Sequence, residues 1–285
     1  MSGFFHSNMP KLVYDAPRPD TRRNTDSTEA PKHFIDLEPF NEKPAYHLPH
    51  DFDKAIARYS LDTLTKYGYV PYQIMVVKDQ LTRAFNMQNK DSILFYAADL
   101  GHYIGDANVP LHTTLNYDGQ LSNQQGLHSL WESMIPELEI EQYNLNSGHK
   151  VRYLRNPIKD VFRAIKRAHE LLPSMFAKEV ETTLLFTDST KYRYQLRNGK
   201  QSRSYSSAFA KAFAEKLKPT INQQLLHSAD MIADFWYTAW VDAGKPNLSG
   251  MTNWSAEKQA QYATELDAYN ANELIKRNLL EARKK

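Results

Sequence analysis

The chain has 285 residues, 35 Lys and Arg against 33 Asp and Glu, and no cysteine. That length suits one large domain or two small ones, and the lack of thiols excludes a disulfide scaffold, thiolate zinc fingers, iron–sulfur clusters and a cysteine nucleophile. A formal charge of +2 is too balanced to argue for a nucleic-acid or membrane surface, and the ten glycines form no GxGxxG, GxxxxGK or GxSxG motif.

The first fifty residues carry seven prolines (Pro10, Pro17, Pro19, Pro31, Pro39, Pro44 and Pro49), a density that argues against a long helix and reads as irregular chain. From Phe52, apolar residues recur at helical intervals until Gly68, and Val70 to Phe85 reads as a second helix. A third run, capped by Asp91 and reaching Ile104, is apolar around most of its circumference, which places it inside the protein. Residues 113–156 are polar, with one short helix near 127–134. Pro157 opens a helical stretch to about Phe186 with a break near Pro173. The basic stretch 187–203 reads as an exposed excursion whose Lys191, Arg193, Arg197, Lys200 and Arg203 are available to phosphates or simply solvated. Tyr205 to Ala243 is helical with an interruption at Pro219, and the last forty residues are charged, ending in a fraying EARKK. No period-two run, 20–50-residue repeat or apolar span long enough for a bilayer is evident. The fold class is all-α, a multi-helix bundle, with residues 1–247 as the main domain and 248–285 as a charged C-terminal extension.

Four histidines sit among carboxylates at metal-site spacings. His102 and Asp106 share one face of the third helix, His112 follows just past Pro110, and His128 and Glu132 repeat the four-residue spacing. Asp20 and His33 lie upstream. Nitrogen and oxygen donors without thiolate suit zinc held for catalysis. Each pair alone reads equally as a surface ion pair or a satisfied core histidine. Company shifts the balance, because an unpaired carboxylate at Asp106 on an apolar helix would cost several kcal/mol and a cation resolves that cost. Asp36 and Asp99 are candidate partners for fixing histidine tautomers, with surface or structural roles as the alternative.

The order PD, HFID, H-x-x-x-D-x-x-x-P-L-H, L-H-x-x-W-E resembles the superfamily of zinc-dependent phospholipases C and single-strand-specific nucleases, from about Gly3 to Leu248. It is most similar to the bacterial phospholipase C-like proteins, since Glu132 stands where the nucleases usually carry Asp. The resemblance implies an all-α bundle, secreted or periplasmic, that hydrolyses phosphodiesters with three zinc ions in a cleft. It assigns Asp20, His33, His102 and Asp106 to one zinc and His112, His128 and Glu132 to a second, with Asp106 bridging to a third. Asp20 is also the candidate for orienting or deprotonating the attacking water. The third ion's other ligands, a Trp-Gly-x-x-x-His segment, are not found, and His6 reads as an ordinary exposed histidine. Two zinc ions are therefore expected. The first residues, MSGFFHSNMP, do not read as a signal peptide. The expected substrate is a small phosphodiester or a phospholipid, with single-stranded nucleic acid as the alternative. A zinc-containing protein that binds without turnover is the reading from another class.

Overall fold

Helix α1 (Ser2–Asp15) runs straight through the proline-rich start, where irregular chain is expected. Its buried residues Phe4, Phe5, Asn8, Leu12 and Asp15 fall on one helical face, and Phe5 stacks on Trp236 at 4.3 Å between ring centroids. Pro10 removes one backbone donor, but it sits on the exposed side of the helix. The later prolines do break the chain. Pro17 leads into the five-residue α2 (Arg18–Arg22), and an extended stretch follows a short 3-10 turn at Ala30–Lys32.

The structure, a computed structural model, describes residues 1–40, 48–197, 200–217, 219–252 and 254–280. Pro44 and the closing EARKK fall outside them. Residues 52–67 form two helices rather than one, α3 (Phe52–Tyr59) and α4 (Leu61–Tyr67). Ser60 separates them at φ +71°, and its hydroxyl accepts from the Thr63 amide. Next come α5 (Val70–Asn86) and α6 (Lys90–Ala107). The cap of α6 is Asn89, whose side chain accepts from the Ser92 amide, and not Asp91. Helix α7 (127–139) includes a π-helical turn at Leu130–Met134. Helices α8 (Pro157–Glu170) and α9 (Leu172–Thr183) break just before Pro173 as expected, and α10 (Asp188–Lys191) is a single turn. The basic stretch then forms an antiparallel ribbon, β1 (Tyr192–Arg197) with β2 (Lys200–Tyr205), where an irregular loop is expected. Helices α11 (Ser207–Leu217), α12 (Thr220–Asp242) and α13 (Ala256–Asn270) complete an all-α bundle.

The main core surrounds α6, which packs against α1, α2, α5, α8 and α12. A second core joins α7, α9 and α11 to the base of the ribbon through Trp131, Tyr192, Tyr205, Phe209 and Phe213. The segment after Leu248 folds back on α1. Glu265 accepts from His6 at 2.8 Å and Trp254 lies against Gly3, so His6 is largely covered rather than exposed.

Two local devices fix the residues that matter below. The extended segment 33–37 is laced on both sides. Ile35 and Leu37 donate to the carbonyls of His112 and Thr113 (2.9 and 3.2 Å), and Asp36 donates to Tyr67. Val70 in turn donates to the Phe34 carbonyl. Gly68 permits this approach. Its φ is +84°, and a Cβ there would lie 2.2 Å from the Phe34 oxygen. The second device clamps α2, which is too short to hold itself. Arg18 donates to Asp99 (2.6 Å) and to the Phe95 carbonyl. Arg22 donates to Asp99 (2.9 Å) and Glu29 (3.0 Å). Glu29 is fully buried and also accepts from Lys32 and Tyr103. Burial alone would raise its pKa, but the bonds from Arg22, Lys32 and Tyr103 win and hold it at about 2.

Two outcomes are expected from thermal unfolding. Gly68→Ala should destabilise the chain by roughly 2–4 kcal/mol, because backbone at Phe34 must move and the φ/ψ region admits glycine almost alone. An unchanged Tm would contradict the lacing. Glu29→Gln should cost roughly 2 kcal/mol at neutral pH. A carboxylate whose folded pKa is depressed contributes stability above its unfolded pKa, about 4.5, and loses it as pH falls towards about 2. The gap between wild type and variant, measured with chelator throughout so that metal loss does not enter, should close across that window and not on the alkaline side.

Candidate metal centre

The seven residues singled out by spacing come from five separate segments and converge on one side of α6. His102 and Asp106, four apart on α6, point the same way, because a helix places i and i+4 on one face. From α2, Asp20 reaches the same point. Its carboxylate oxygen lies 3.7 Å from His33 Nδ1 and 3.8 Å from His102 Nε2. His33 Nδ1 is 3.0 Å from His102 Nε2 and 2.9 Å from Asp106 Oδ2, and His102 Nε2 is 3.3 Å from the same Asp106 oxygen. Zinc–ligand distances of about 2.0–2.2 Å imply tetrahedral edges of roughly 3.3–3.6 Å, which this spread of donor distances brackets.

A second group forms alongside. Helix α6 ends at Ala107, and the 3-10 turn Pro110–Thr113 swings His112 back over Asp106. His112 Nε2 is 3.6 Å from Glu132 Oε2, and His128 Nε2 is 2.7 Å from the same oxygen. His112 Nε2 also faces Asp106 Oδ1 at 4.0 Å, so Asp106 presents one oxygen to each group. Among the described residues, Asp20, His33 and His102 form one set with donor atoms within 4.8 Å of one another, and His112, His128 and Glu132 form another.

Two of the site histidines are oriented by backbone carbonyls, whereas His33 faces carboxylates, Asp106 at Nδ1 and Glu29 at Nε2 (2.9 and 3.6 Å). His112 Nδ1 donates to the His33 carbonyl at 2.7 Å, and His128 Nδ1 donates to the Tyr117 carbonyl at 3.1 Å. Both rings therefore turn Nε2 towards Glu132. Asp99 does not serve a histidine, being committed to Arg18 and Arg22. Asp36 is buried near His112. Burial and the neighbouring Glu38 push its pKa up to about 7 against the pull of His112. The sequence reading misses the Arg18–Arg22 clamp, although the i, i+4 spacing of two arginines around Asp20 was a visible signal.

The charge balance asks for a cation. Burial pushes the His112 pKa down, yet Asp106 and Glu132 outweigh it and raise it to about 9. Glu132 is held well below the usual carboxylate range, because His112 and His128 overcome its burial. His112 Nε2 is buried, aims into the cluster and has no hydrogen-bond partner. A buried ring nitrogen without a hydrogen-bond partner, facing two carboxylates, marks a place where a divalent ion fits in exchange for the ring proton.

The centre opens into a cavity of about 650 Å³ lined by Asp20, Arg23, Asn24, Asp106, His112 and Glu132. Asp20 is 55 % exposed at its mouth, and Arg23 pairs with it at 3.6 Å, so the surface ion pair and the approach to the histidines coexist. An apolar groove of about 430 Å³ adjoins on the other side, between Leu12, Val13, His102, Ile232 and Trp236.

Residues 5–235 match the family model for S1/P1 Nuclease. The chain belongs to that family. Its members are zinc-dependent phosphodiester hydrolases, which makes the chain an enzyme of this class. Neither a curated protein nor a solved structure matches it. Among the described residues, no helix is long and apolar enough to cross a membrane.

Proposed function

We propose that this S1/P1-family hydrolase cleaves single-stranded nucleic acid at a two-zinc centre. Asp20, His33 and His102 hold one ion, His112, His128 and Glu132 hold the other, and Asp106 reaches both. The observation that carries the reading is the convergence of seven nitrogen and oxygen donors, with the buried, unpartnered Nε2 of His112 aimed among them. Zinc, when bound, lowers the pKa of a water towards neutrality and draws charge from phosphate oxygens.

The chain's own residues supply the rest. Asp20, exposed at the cavity mouth, is placed to accept a proton from the attacking water or to orient it. Arg23, beside it, provides a cation at the height where a phosphate would enter. The carbonyls of His33 and Tyr117 engage Nδ1 of His112 and His128, so Nε2 is the atom that each ring would offer to a metal. Tyr117, half exposed next to His128, offers a ring face to a base. Family membership favours nucleic acid. A phospholipid is the second reading, favoured by the apolar groove beside His102 and by Glu132, and it would place an acyl chain along Leu12, Val13 and Ile232. Secretion, general in the family, is part of the same proposal.

Purified protein should carry about two zinc ions per chain after dialysis, and a content near zero with no uptake on adding zinc would end the reading. Zinc-loaded protein should hydrolyse an oligothymidylate faster than a short-chain phosphatidylcholine, and the reverse order selects the phospholipid. Asp106→Asn should lower turnover by on the order of a hundredfold or more, because it removes charge facing both sets. Glu132→Asp keeps a carboxylate and should cost roughly tenfold. Wild-type turnover in both variants would exclude the bridging role.

A further inference from the structure

The β1–β2 ribbon takes no part in the chemistry above, yet the fold holds it firmly. At its base Tyr205 donates to Glu179 (3.0 Å) and to the Gln124 carbonyl (3.2 Å), and its ring stacks on Phe209. Lys191 pairs with the same Glu179 at 2.8 Å, and all three groups are buried. Isolated two-stranded ribbons are marginal in water, so a buried ion pair and an aromatic stack are what keep this one in place. Beyond the base, residues 193–196 and 202–204 are exposed on both faces.

The composition of the projecting part is one-sided. Residues 192–205 contain Arg193, Arg197, Lys200 and Arg203 and no carboxylate. The register, Tyr192 opposite Tyr205 and Tyr194 opposite Arg203, puts Tyr194 and Arg203 on one face and Arg193, Gln195, Ser202 and Ser204 on the other. The Arg203 guanidinium lies 4.2 Å over the Tyr192 ring, a stacked cation rather than an ion-paired one. The ribbon also stands on the loop that carries His128. The Tyr205 ring lies 3.4 Å from where a Cβ on Gly126 would be, two residues before that histidine. Exposed cations interleaved with an exposed aromatic are what a single strand needs, phosphates on the cations and bases on the ring. A bilayer would ask for an apolar projection, and residues 192–205 carry four basic residues against one aliphatic, the exposed Leu196.

We propose that the ribbon is a docking arm for a single-stranded polynucleotide, with Arg193 and Arg203 on phosphates and Tyr194 beneath a base, leading the strand towards the His128 side of the metal centre. This extends the single-strand reading to a second site outside the cavity.

The test uses the full, zinc-loaded chain and a phosphorothioate oligothymidylate that resists cleavage. The double variant Arg193→Gln/Arg203→Gln should bind it tenfold or more weakly, with a salt slope shallower by about 1.4, since each cation on a single strand contributes about 0.7. KM for a cleavable strand should rise in parallel, while hydrolysis of bis(p-nitrophenyl) phosphate stays at the wild-type rate. Arg193→Lys/Arg203→Lys should keep the slope, and Tyr194→Ala should weaken binding without changing it. Unchanged affinity and slope in the double glutamine variant would overturn the proposal. So would strand binding left intact while affinity for phosphatidylglycerol vesicles is lost. A protein that binds the strand through these arginines but cleaves neither substrate would sink the hydrolase reading and leave the arm standing.

Discussion

The metal centre depends on one backbone junction, where the extended segment 33–37 lies against the turn 110–113. The chain brings residues nearly eighty positions apart into register with two backbone hydrogen bonds, Ile35 to His112 and Leu37 to Thr113. The same junction orients the chemistry, because the His33 carbonyl receives the Nδ1 proton of His112. A ring from one donor set and a carbonyl from the other are thus locked as a unit. Gly68 admits the strand, Pro110 turns the chain at the end of α6, and the clamp on Asp99 holds α2 so that Asp20 can close the circle. Each is a condition on the junction or on what faces it.

Electrostatics explains why so much structure is spent there. Asp106 is buried and Glu132 half covered at the centre, while Glu29 and Asp99 are buried just behind it. A buried charge without a partner costs several kcal/mol. The fold answers the outer two with Arg18, Arg22 and Lys32, which leaves the inner two to the histidines and to whatever cation lies between them. The separation keeps the permanent cations out of the cavity. Among the described residues, Arg23 is the one permanent cation that lines the space where an anionic substrate would sit.

Most of the bundle is legible in the sequence because its helices alternate faces at the helical period and stop at visible breakers, as at Gly68, Pro173 and Pro219. The exceptions have particular reasons. Helix α1 hides behind Pro10, whose lost donor lies on the exposed side and costs too little to break the run. The ribbon is half hidden: YRYQLR alternates apolar and polar residues over one strand length, but its partner KQSRSY does not, and Asn198-Gly199 between them is a hairpin turn signal in the sequence. Ser60, at a positive φ that serine seldom takes, splits a run that periodicity reads as continuous. At the site, the donor residues could be read from spacing. The orientation of the His112 and His128 rings could not, since their Nδ1 partners are the main-chain carbonyls of His33 and Tyr117, and carbonyls carry no sequence signature. The carboxylate at Asp99 likewise points to arginines that only folding brings near.

The π-helical turn at Leu130–Met134 sets how this part of the gene tolerates change in length. A π turn holds one residue more than the α turn it replaces, so losing that residue would leave an ordinary turn, with Ile135 still facing the second core and His128, upstream, in its place. A deletion in one of the plain α turns would instead rotate everything beyond it by roughly 100°. Length is thus most forgiving at the π turn, provided that Glu132 within it is spared.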